Sequence, residues 1–155
     1  MRGPQRGAAA GGVRIRPVAL EAVLPLRQAV LRPGRPVEES SFAPDMDPAT
    51  VHLAAVDATG AVLGCATWFP EPWQGAPAWR LRGMATAPAA RGTGLGGRLL
   101  EEGLALARDA GVGLVWCNAR TSAVGFYRRY GFETVGEEFE SGYGIPHFVM
   151  CRPLP

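Results

Sequence analysis

The chain has 155 residues, of which 47% are apolar and 19% charged, and its formal net charge is +2. This length fits one domain with a sizeable core. The small net charge, without any basic run, argues against a nucleic-acid partner. No apolar run approaches the length of a membrane span. Lysine is absent and all sixteen cationic residues are arginine, which indicates a coding bias more than a function.

The cysteines and the N-terminus bear on compartment and domain limits. Cys65, Cys117 and Cys151 lie far apart in apolar runs, without a CxxC or CxxH pair. We therefore expect buried free thiols, a cytoplasmic location and no metal site. Residues 1–12 have no apolar h-region, which predicts a disordered tail and not a signal peptide. One domain is expected over residues 13–155.

The first half of the chain predicts a strand, a helix, a long loop and a hairpin. Residues 13–18 alternate as a strand does, and residues 20–31 follow helical spacing. Pro25 is expected to start or kink this helix. Residues 35–50 contain three prolines and an acidic cluster, and we interpret them as an irregular loop that is functional or mobile. Residues 51–69 carry a hairpin signal around Asp-Ala-Thr-Gly.

After a loop at residues 70–78, the second half predicts strands alternating with helices. The elements are strand 79–86, a helix that ends near Gly111, strand 113–118, a short helix over 123–130 between Ser122 and Gly131, and strands 134–139 and 147–151. Gly83 inside its strand predicts either a bulge that opens a slot or close packing. The order predicts an α/β (α+β) fold with a mixed, mostly antiparallel sheet of about seven strands and helices on both faces.

A glycine-rich segment joins strand 79–86 to the helix that follows. It reads Arg91-Gly92-Thr93-Gly94-Leu95-Gly96-Gly97. A helix N-terminus presents unpaired N–H groups and the positive end of the helix dipole, and glycines let a ligand approach them, so the segment predicts a phosphate site. The spacing also fits the dinucleotide fingerprint, but the next strand ends in Cys117-Asn118, without the acidic residue which that fingerprint needs.

Two motifs of the second half are specific enough to suggest a family. The first is Met84-Ala85-Thr86-Ala87-Pro88 followed by Arg91-x-x-Gly94-x-Gly96, and the second is Ala123-x-x-Phe126-Tyr127-x-x-x-Gly131-Phe132. They resemble the fourth strand, the pyrophosphate loop and the A-x-x-F-Y-x-x-x-G-F helix of the GNAT superfamily of N-acetyltransferases. Asn118 falls at the strand end where many members carry a polar residue. The predicted element order is also similar to the GNAT order.

The resemblance implies transfer of an acetyl group from acetyl-coenzyme A to a primary amine of a small molecule or peptide. It implies that the backbone of Met84, Ala85 and Thr86 pairs with the pantetheine arm, while residues 91–97 hold the pyrophosphate. Tyr127 would protonate the departing thiolate as a general acid; the alternative is a core aromatic. The other implied cofactor contacts are Asn118, Ala123 and Phe126.

We expect the loops at residues 32–50 and 70–78 to form the pocket that binds the acceptor amine. An alkylammonium group must lose a proton before it attacks, and the candidate bases are Glu38, Glu39, Glu71 and His147, with a water chain as the alternative. Candidate pocket walls are Trp68, Trp73 and Trp79, whereas His52 is interpreted as structural. The sequence does not predict an oligomeric state, and a homodimer is compatible with it.

Two other functions are also compatible with the sequence. One is a non-catalytic domain of the same fold that binds coenzyme A or acyl-coenzyme A, or an interaction partner, because a fold does not fix a function. The other is a dinucleotide-binding enzyme, which the missing acidic residue disfavours. Tyr127 and the intact glycine segment favour the acetyltransferase. No nucleic-acid or membrane partner is expected.

Overall fold

The computed structural model describes residues 12–155; the predicted tail, except for Gly12, lies outside these residues. The strands are β1 (Arg14–Val18), β2 (Val51–Val56), β3 (Val62–Pro70), β4 (Trp79–Thr86), β5 (Leu114–Arg120), β6 (Glu133–Glu140) and β7 (Pro146–Pro153). The α-helices are α1 (Leu20–Leu31), α2 (Leu95–Asp109) and α3 (Val124–Arg128).

One seven-stranded sheet has the order β1-β2-β3-β4-β5-β7-β6. The pairs β1–β2, β2–β3, β5–β7 and β6–β7 are antiparallel, while β4 and β5 run parallel. Strand β4, helix α2 and strand β5 thus form the βαβ unit expected around the glycine segment. The predicted α+β fold with a mostly antiparallel sheet is confirmed.

The chain divides into two compact units. The first comprises the residues up to Trp68 together with Gly83–Gly103, and the second comprises Phe69–Arg82 with Leu104–Pro155. In the first unit α1 covers a core cluster whose buried members are Val23, Ala54, Val56, Cys65 and Ala85. In the second, a smaller cluster contains Ala78, Trp116 and Cys151. Spacing of apolar residues along α1, and alternation along the strands, places these side chains inside.

Two local expectations differ from the structure, and one of two alternatives is excluded at Pro25. Pro25 lies inside α1 and does not start it, since α1 already begins at Leu20. Residues 35–50 are not wholly irregular, because they contain two short 3₁₀ helices, Val37–Ser40 and Ala43–Met46. Ser122 caps no helix: it lies inside a 3₁₀ turn, and α3 begins after Ala123 without a side-chain cap.

Trp68 is fully buried in the first unit, so the expectation that it lines an acceptor pocket is wrong. It packs against Gly103 of α2 so closely that a Cβ at Gly103 would lie 1.9 Å from Trp68 Cε2 and 2.0 Å from Cζ2. Gly103 therefore exists in the helix interior because nothing larger fits beneath the indole ring.

All three cysteines are free and buried, as predicted. Burial raises the pKa of the Cys65 thiol from 9.0 to about 11, and burial also raises the pKa values of Cys117 and Cys151. A thiol of the unfolded chain ionises near pH 8.5–9, whereas the folded thiols stay protonated. The raised thiol pKa values therefore contribute to the free energy of unfolding. This contribution is fully present below about pH 8.5 and is lost as the pH rises.

We therefore expect the free energy of unfolding to be lower at pH 10 than at pH 7.5, by roughly 3 kcal/mol for the two most deeply buried thiols, Cys65 and Cys117, together. Urea titrations at both pH values measure it. In Cys65→Ala the difference between the two pH values should shrink by about half. An equal difference in the variant and the parent protein would contradict the assignment to this thiol.

Candidate functional site

Strand β4 changes its backbone conformation at Gly83. The parallel ladder with β5 runs from Trp79–Val115 to Leu81–Cys117, and its last pair precedes Gly83. Gly83 has φ +65°, a conformation that non-glycine residues rarely adopt. A Cβ there would also lie 2.7 Å from Arg27 Nε. Close packing, one of the two predicted explanations, therefore applies at this residue, whereas a bulge that opens a slot stays a prediction.

The glycine segment enters α2 as the sequence predicts. A short 3₁₀ turn, Pro88–Ala90, follows β4, the Thr93 hydroxyl donates to the carbonyl of Ala90, and α2 begins at Leu95. The first helical bond runs from the N–H of Arg98 to the carbonyl of Gly94, at 3.1 Å. The N–H groups of Leu95, Gly96 and Gly97 precede this bond and need partners from outside the helix.

Gly92 and Gly94 give this segment its shape. Their φ angles are +78° and +84°, and both residues are exposed. Apart from the two flanking residues, no atom of residues 12–155 would lie within 4 Å of a Cβ added to either glycine. Their lack of a side chain is thus not required by packing, and the segment keeps open space beside the helix N-terminus. The exposed Arg91 adds a cation there.

Asn118 lies in β5, opposite Val149 of β7. The strand continues to Arg120, so Asn118 is two residues before the strand end and not at it. Its side chain is half-buried. Alternation along the strand directs it to the sheet face opposite that of Cys117.

Tyr127 is a buried residue of α3, whose ring packs edge-on against Phe126, with ring centroids 5.2 Å apart, and against Phe132, at 5.5 Å. Burial and then the neighbouring Cys117 raise the pKa of the Tyr127 phenol well above its ordinary value of 10. No hydrogen bond contributes to the shift. The hydroxyl therefore keeps its proton throughout the physiological range.

The helix around Tyr127 is shorter than the predicted 123–130, since α3 spans Val124–Arg128, but Gly131 closes the turn that follows it. Gly131 has φ +87°, and the N–H of Phe132 donates to the carbonyl of Tyr127 at 3.2 Å. A Cβ at Gly131 would lie 2.6 Å from Arg152 Nε. Ala123 and Phe126 are both half-buried on this turn.

The candidate acceptor residues differ in how far their side chains are already engaged. Glu38 is exposed, whereas Glu39 forms an ion pair with Arg35 at 2.9 Å. The Nδ1 atom of His147 lies 2.9 Å from the Ser141 hydroxyl and 2.8 Å from the Ile145 carbonyl. Because a carbonyl only accepts, a proton on Nδ1 leaves Nε2 as the acceptor nitrogen of the neutral ring.

Glu71 and Trp73 belong to one cluster of the second unit. Glu71 pairs with Arg80 at 3.3 Å, and the guanidinium group of Arg80 lies 4.5 Å from the centroid of Trp116. Trp73 packs on Trp116 at 5.1 Å, and Trp116 Nε1 donates to the carbonyl of Glu71 at 3.0 Å. These contacts order the loop at residues 70–78 around a cation and two indole rings.

The main feature that sequence reasoning missed is Arg27, which is fully buried in the first unit. It donates to Asp45 at 2.7 and 3.1 Å, to the carbonyl of Ser40 at 2.9 Å and to the hydroxyl of Thr67. It also stacks on Phe42, 4.3 Å from the ring centroid. One signal was available: Arg27 lies four residues after Val23, on the buried face of α1.

Asp45 and His52 complete this network. Burial by itself would raise the pKa of Asp45, but hydrogen bonds from Arg27 and from the N–H of Phe42, with the charge of Arg27, hold that pKa below its ordinary value. His52 Nε2 lies 3.0 Å from the carbonyl of Asp45 and its Nδ1 lies 2.8 Å from the Thr67 hydroxyl. A carbonyl only accepts, so Nε2 carries the proton and Thr67 donates to Nδ1. His52 has the structural role expected of it.

The predicted cofactor residues thus fall into two groups. Met84, Ala85, Thr86 and the segment from Arg91 to Gly97 lie in the first unit, whereas Asn118, Ala123, Phe126 and Tyr127 lie in the second. Within residues 12–155, no three His, Cys, Asp or Glu side chains come together as a metal site requires. None of the helices described there has both the length and the apolar character of a bilayer-spanning segment.

Comparisons with known proteins identify the family. The acetyltransferase (GNAT) domain family matches residues 47–134. The uncharacterized N-acetyltransferase YitI of Bacillus subtilis (strain 168) is 31% identical over 146 residues, which are 92% of this chain and 97% of YitI.

Solved structures agree with this match. A GCN5-related N-acetyltransferase from Kribbella flavida has a TM-score of 0.71 and 26% identity, covering 94% of this chain and 99% of its own. A chain of the NatC complex bound to Gag peptide and CoA has a TM-score of 0.76 at 16% identity, and the match covers 92% of this chain and 99% of the NatC chain. At this low identity the match shows only that the two chains share a fold. The chain therefore belongs to the GNAT family of acetyltransferases and is an acyltransferase.

Proposed function

We propose that this chain is an N-acetyltransferase that moves an acetyl group from acetyl-coenzyme A to the primary amine of a small molecule or peptide. Membership of the GNAT family supports acetyl transfer to an amine. The NatC structure holds CoA and a peptide, which supports this donor and this kind of acceptor. The catalytic domain is proposed to span residues 13–155.

One observation carries the cofactor half of the proposal: Gly92 and Gly94 are exposed, adopt left-handed φ angles and have open space where a Cβ would lie, immediately before the 15-residue helix α2. A phosphate group accepts hydrogen bonds from N–H groups at such a helix start and is attracted by the positive end of the dipole. Residues 91–97 therefore fit a pyrophosphate, and Arg91 adds a charge-assisted contact.

The pantetheine arm is assigned to the part of β4 that follows Gly83. The backbone groups of Met84, Ala85 and Thr86 lie beyond the last pair of the β4–β5 ladder, so an extended arm would bind them as an added strand does. An N–H group of this segment would also polarise the thioester carbonyl. Asn118, Ala123 and Phe126 are proposed as further contacts to the arm.

Acetyl-coenzyme A supplies the activated acetyl group and a thiol leaving group. Tyr127 is proposed to donate its phenolic proton to the sulfur as the acceptor amine displaces it. The raised pKa of Tyr127 keeps the proton on the hydroxyl until that moment. On the acceptor side we propose Glu38, Glu39, Glu71, Trp73 and His147 as the residues that recognise the amine or relay its proton. A homodimer is compatible with this function.

The proposal predicts that Gly94→Val weakens binding of acetyl-coenzyme A at least tenfold, because the valine side chain occupies the space that the phosphates need. Losing one or two hydrogen bonds to a charged group accounts for a factor of this size. Isothermal titration calorimetry of the folded variant measures it.

Gly60→Val is the matched control, because Gly60 also has a left-handed φ, +90°, and no atom within 4 Å of an added Cβ. It lies in the β2–β3 turn, where the Asp57 carboxylate accepts hydrogen bonds from Thr59 and Ala61. Both valines carry the same kind of backbone strain, but only the one at Gly94 should lower affinity. Equal affinities in the two variants would refute the pyrophosphate site.

A further inference from the structure

The buried cluster around Arg27 is made of five chain segments of the first unit. Arg27 comes from α1, Ser40 and Asp45 from the two 3₁₀ helices, Thr67 from β3 and Gly83 from β4. Four N–H bonds of the guanidinium group are used, two of them by the carboxylate of Asp45. The fifth, at Nε, has no hydrogen-bond partner and lies beside Gly83, 2.7 Å from where a Cβ would be.

Stability alone is a weak reason for such a cluster. Removing an arginine and a carboxylate from water is costly, and apolar side chains of similar volume often replace a buried ion pair at no loss of stability. Apolar packing, however, does not fix the orientation of the groups that it contacts. The planar guanidinium group places its donors at fixed angles, so the positions of Ser40, Asp45 and Thr67 are set relative to one another, with Nε facing Gly83.

The strand residue that this cluster holds is the one immediately before the proposed pantetheine segment. A Cβ at Gly83 would lie 2.7 Å from Arg27 Nε and 3.1 Å from Phe42 Cε2, so both side chains lie close beside this residue. The Cys65 thiol donates to the carbonyl of Gly83 at 3.5 Å. Close packing and this hydrogen bond together restrict the backbone at Gly83, which directly precedes the N–H and C=O groups of residues 84–86.

We propose that Arg27 and Asp45 are positioning residues for cofactor binding: by holding Gly83 in its left-handed conformation they align the backbone of Met84–Thr86 with the pantetheine arm. This inference rests on the proposed function. The ion pair contacts no cofactor itself, and its charges neutralise each other. Its effect passes through Gly83, and it also fixes the 3₁₀ segment that carries Phe42.

The test separates position from stability with a double replacement. Asp45→Asn leaves the buried guanidinium without its counter-charge, so we expect Tm to fall by about 10 °C. Arg27→Met with Asp45→Leu removes both charges and should restore Tm to within a few degrees of the parent protein. The two ligands to titrate are acetyl-coenzyme A and adenosine 3′,5′-bisphosphate, which lacks the pantetheine arm.

We expect the double variant to bind acetyl-coenzyme A about tenfold more weakly, as the misalignment of one or two backbone hydrogen bonds would cause. Its affinity for adenosine 3′,5′-bisphosphate should stay within about twofold, and amide hydrogen exchange over residues 83–87 should be faster. Unchanged affinity for acetyl-coenzyme A in the double variant would overturn the inference, as would an equal loss for both ligands. A parent protein that binds neither ligand would instead refute the proposed function.

Gly83→Ala perturbs the same contact from the strand side and decides the matter if the double variant does not fold. It should weaken acetyl-coenzyme A selectively, whereas Gly60→Ala, with a similar φ and open surroundings, should not. Replacing the exposed pair Arg128–Glu133 by glutamines, a pair whose side chains are 53% and 76% exposed, should leave both affinities unchanged. If Gly83→Ala binds both ligands as the parent protein does, the inference fails.

Discussion

Tyr127→Phe is expected to lower the turnover number by about 10²–10⁴-fold, the range typical of a lost general acid. The substitution keeps the ring that packs on Phe126 and Phe132 and removes only the hydroxyl. Because no hydrogen bond contributes to the pKa shift of this phenol, we expect Tm and the affinity for acetyl-coenzyme A to change little. Stopped-flow detection of the released thiol, beside calorimetry, measures the two effects separately.

Tyr130→Phe provides the matched control in the same turn of chain. Tyr130 also packs on Phe126, with centroids 5.3 Å apart; its backbone N–H donates to the carbonyl of Tyr127 and its own carbonyl accepts from Arg152, both at 2.9 Å. Its turnover should equal that of the parent protein. If single-turnover experiments show that chemistry limits the rate and Tyr127→Phe still reacts at the parent rate, Tyr127 is core packing and not the acid.

Gly103→Ala is expected to destabilise the protein by about 3 kcal/mol, or roughly 10 °C in Tm. The added methyl group would lie 1.9 Å from a ring atom of Trp68, far inside the 3.5–4.0 Å of a normal carbon contact. The indole ring is fully buried, so any shift of the ring away from the methyl group would disturb the side chains packed around it. This strain outweighs the gain of about 1 kcal/mol that alanine normally brings to a helix interior.

Two further variants test whether the contact with Trp68 causes the loss of stability in Gly103→Ala. Gly125→Ala, also within a helix but with no atom within 4 Å of the new Cβ, should be neutral or slightly stabilising. Trp68→Phe should recover part of the loss in the Gly103→Ala background, and it costs no hydrogen bond because Trp68 Nε1 has no partner. Additive effects of the two substitutions would show that the ring and the methyl group do not clash.

The sequence was most informative where the local pattern and the tertiary structure agree. The bounds of β4 and α1 were predicted to the residue, because alternation and helical spacing there coincide with burial. Gly111 closes α2 as expected, with φ +83° and a bond from the N–H of Val112 to the carbonyl of Ala107. The helical spacing after the glycine segment also placed that segment correctly at the start of α2.

The failures have a common physical origin in non-local packing. Arg27 was not singled out in the sequence, because the partners that make its burial tolerable, Asp45 eighteen residues later and Thr67, are distant along the chain. Trp68 was expected to line a pocket, although the glycine that accommodates it is thirty-five residues away in α2. Ser122 was predicted to cap the next helix, because serine is favoured at helix N-caps. In the structure it lies inside a 3₁₀ turn instead.

The cluster of Trp73 and Trp116 also provides an optical signal. Two indole rings 5.1 Å apart and tilted by 40° couple electronically, and the cation of Arg80 lies over one of them. Trp73 is half-buried, whereas Trp68 is sealed in the core. Fluorescence quenchers dissolved in water will therefore reach the emission of Trp73 and leave that of Trp68 largely untouched. Because Trp73 is proposed to recognise the acceptor, emission from this loop should also change when a bound amine is titrated.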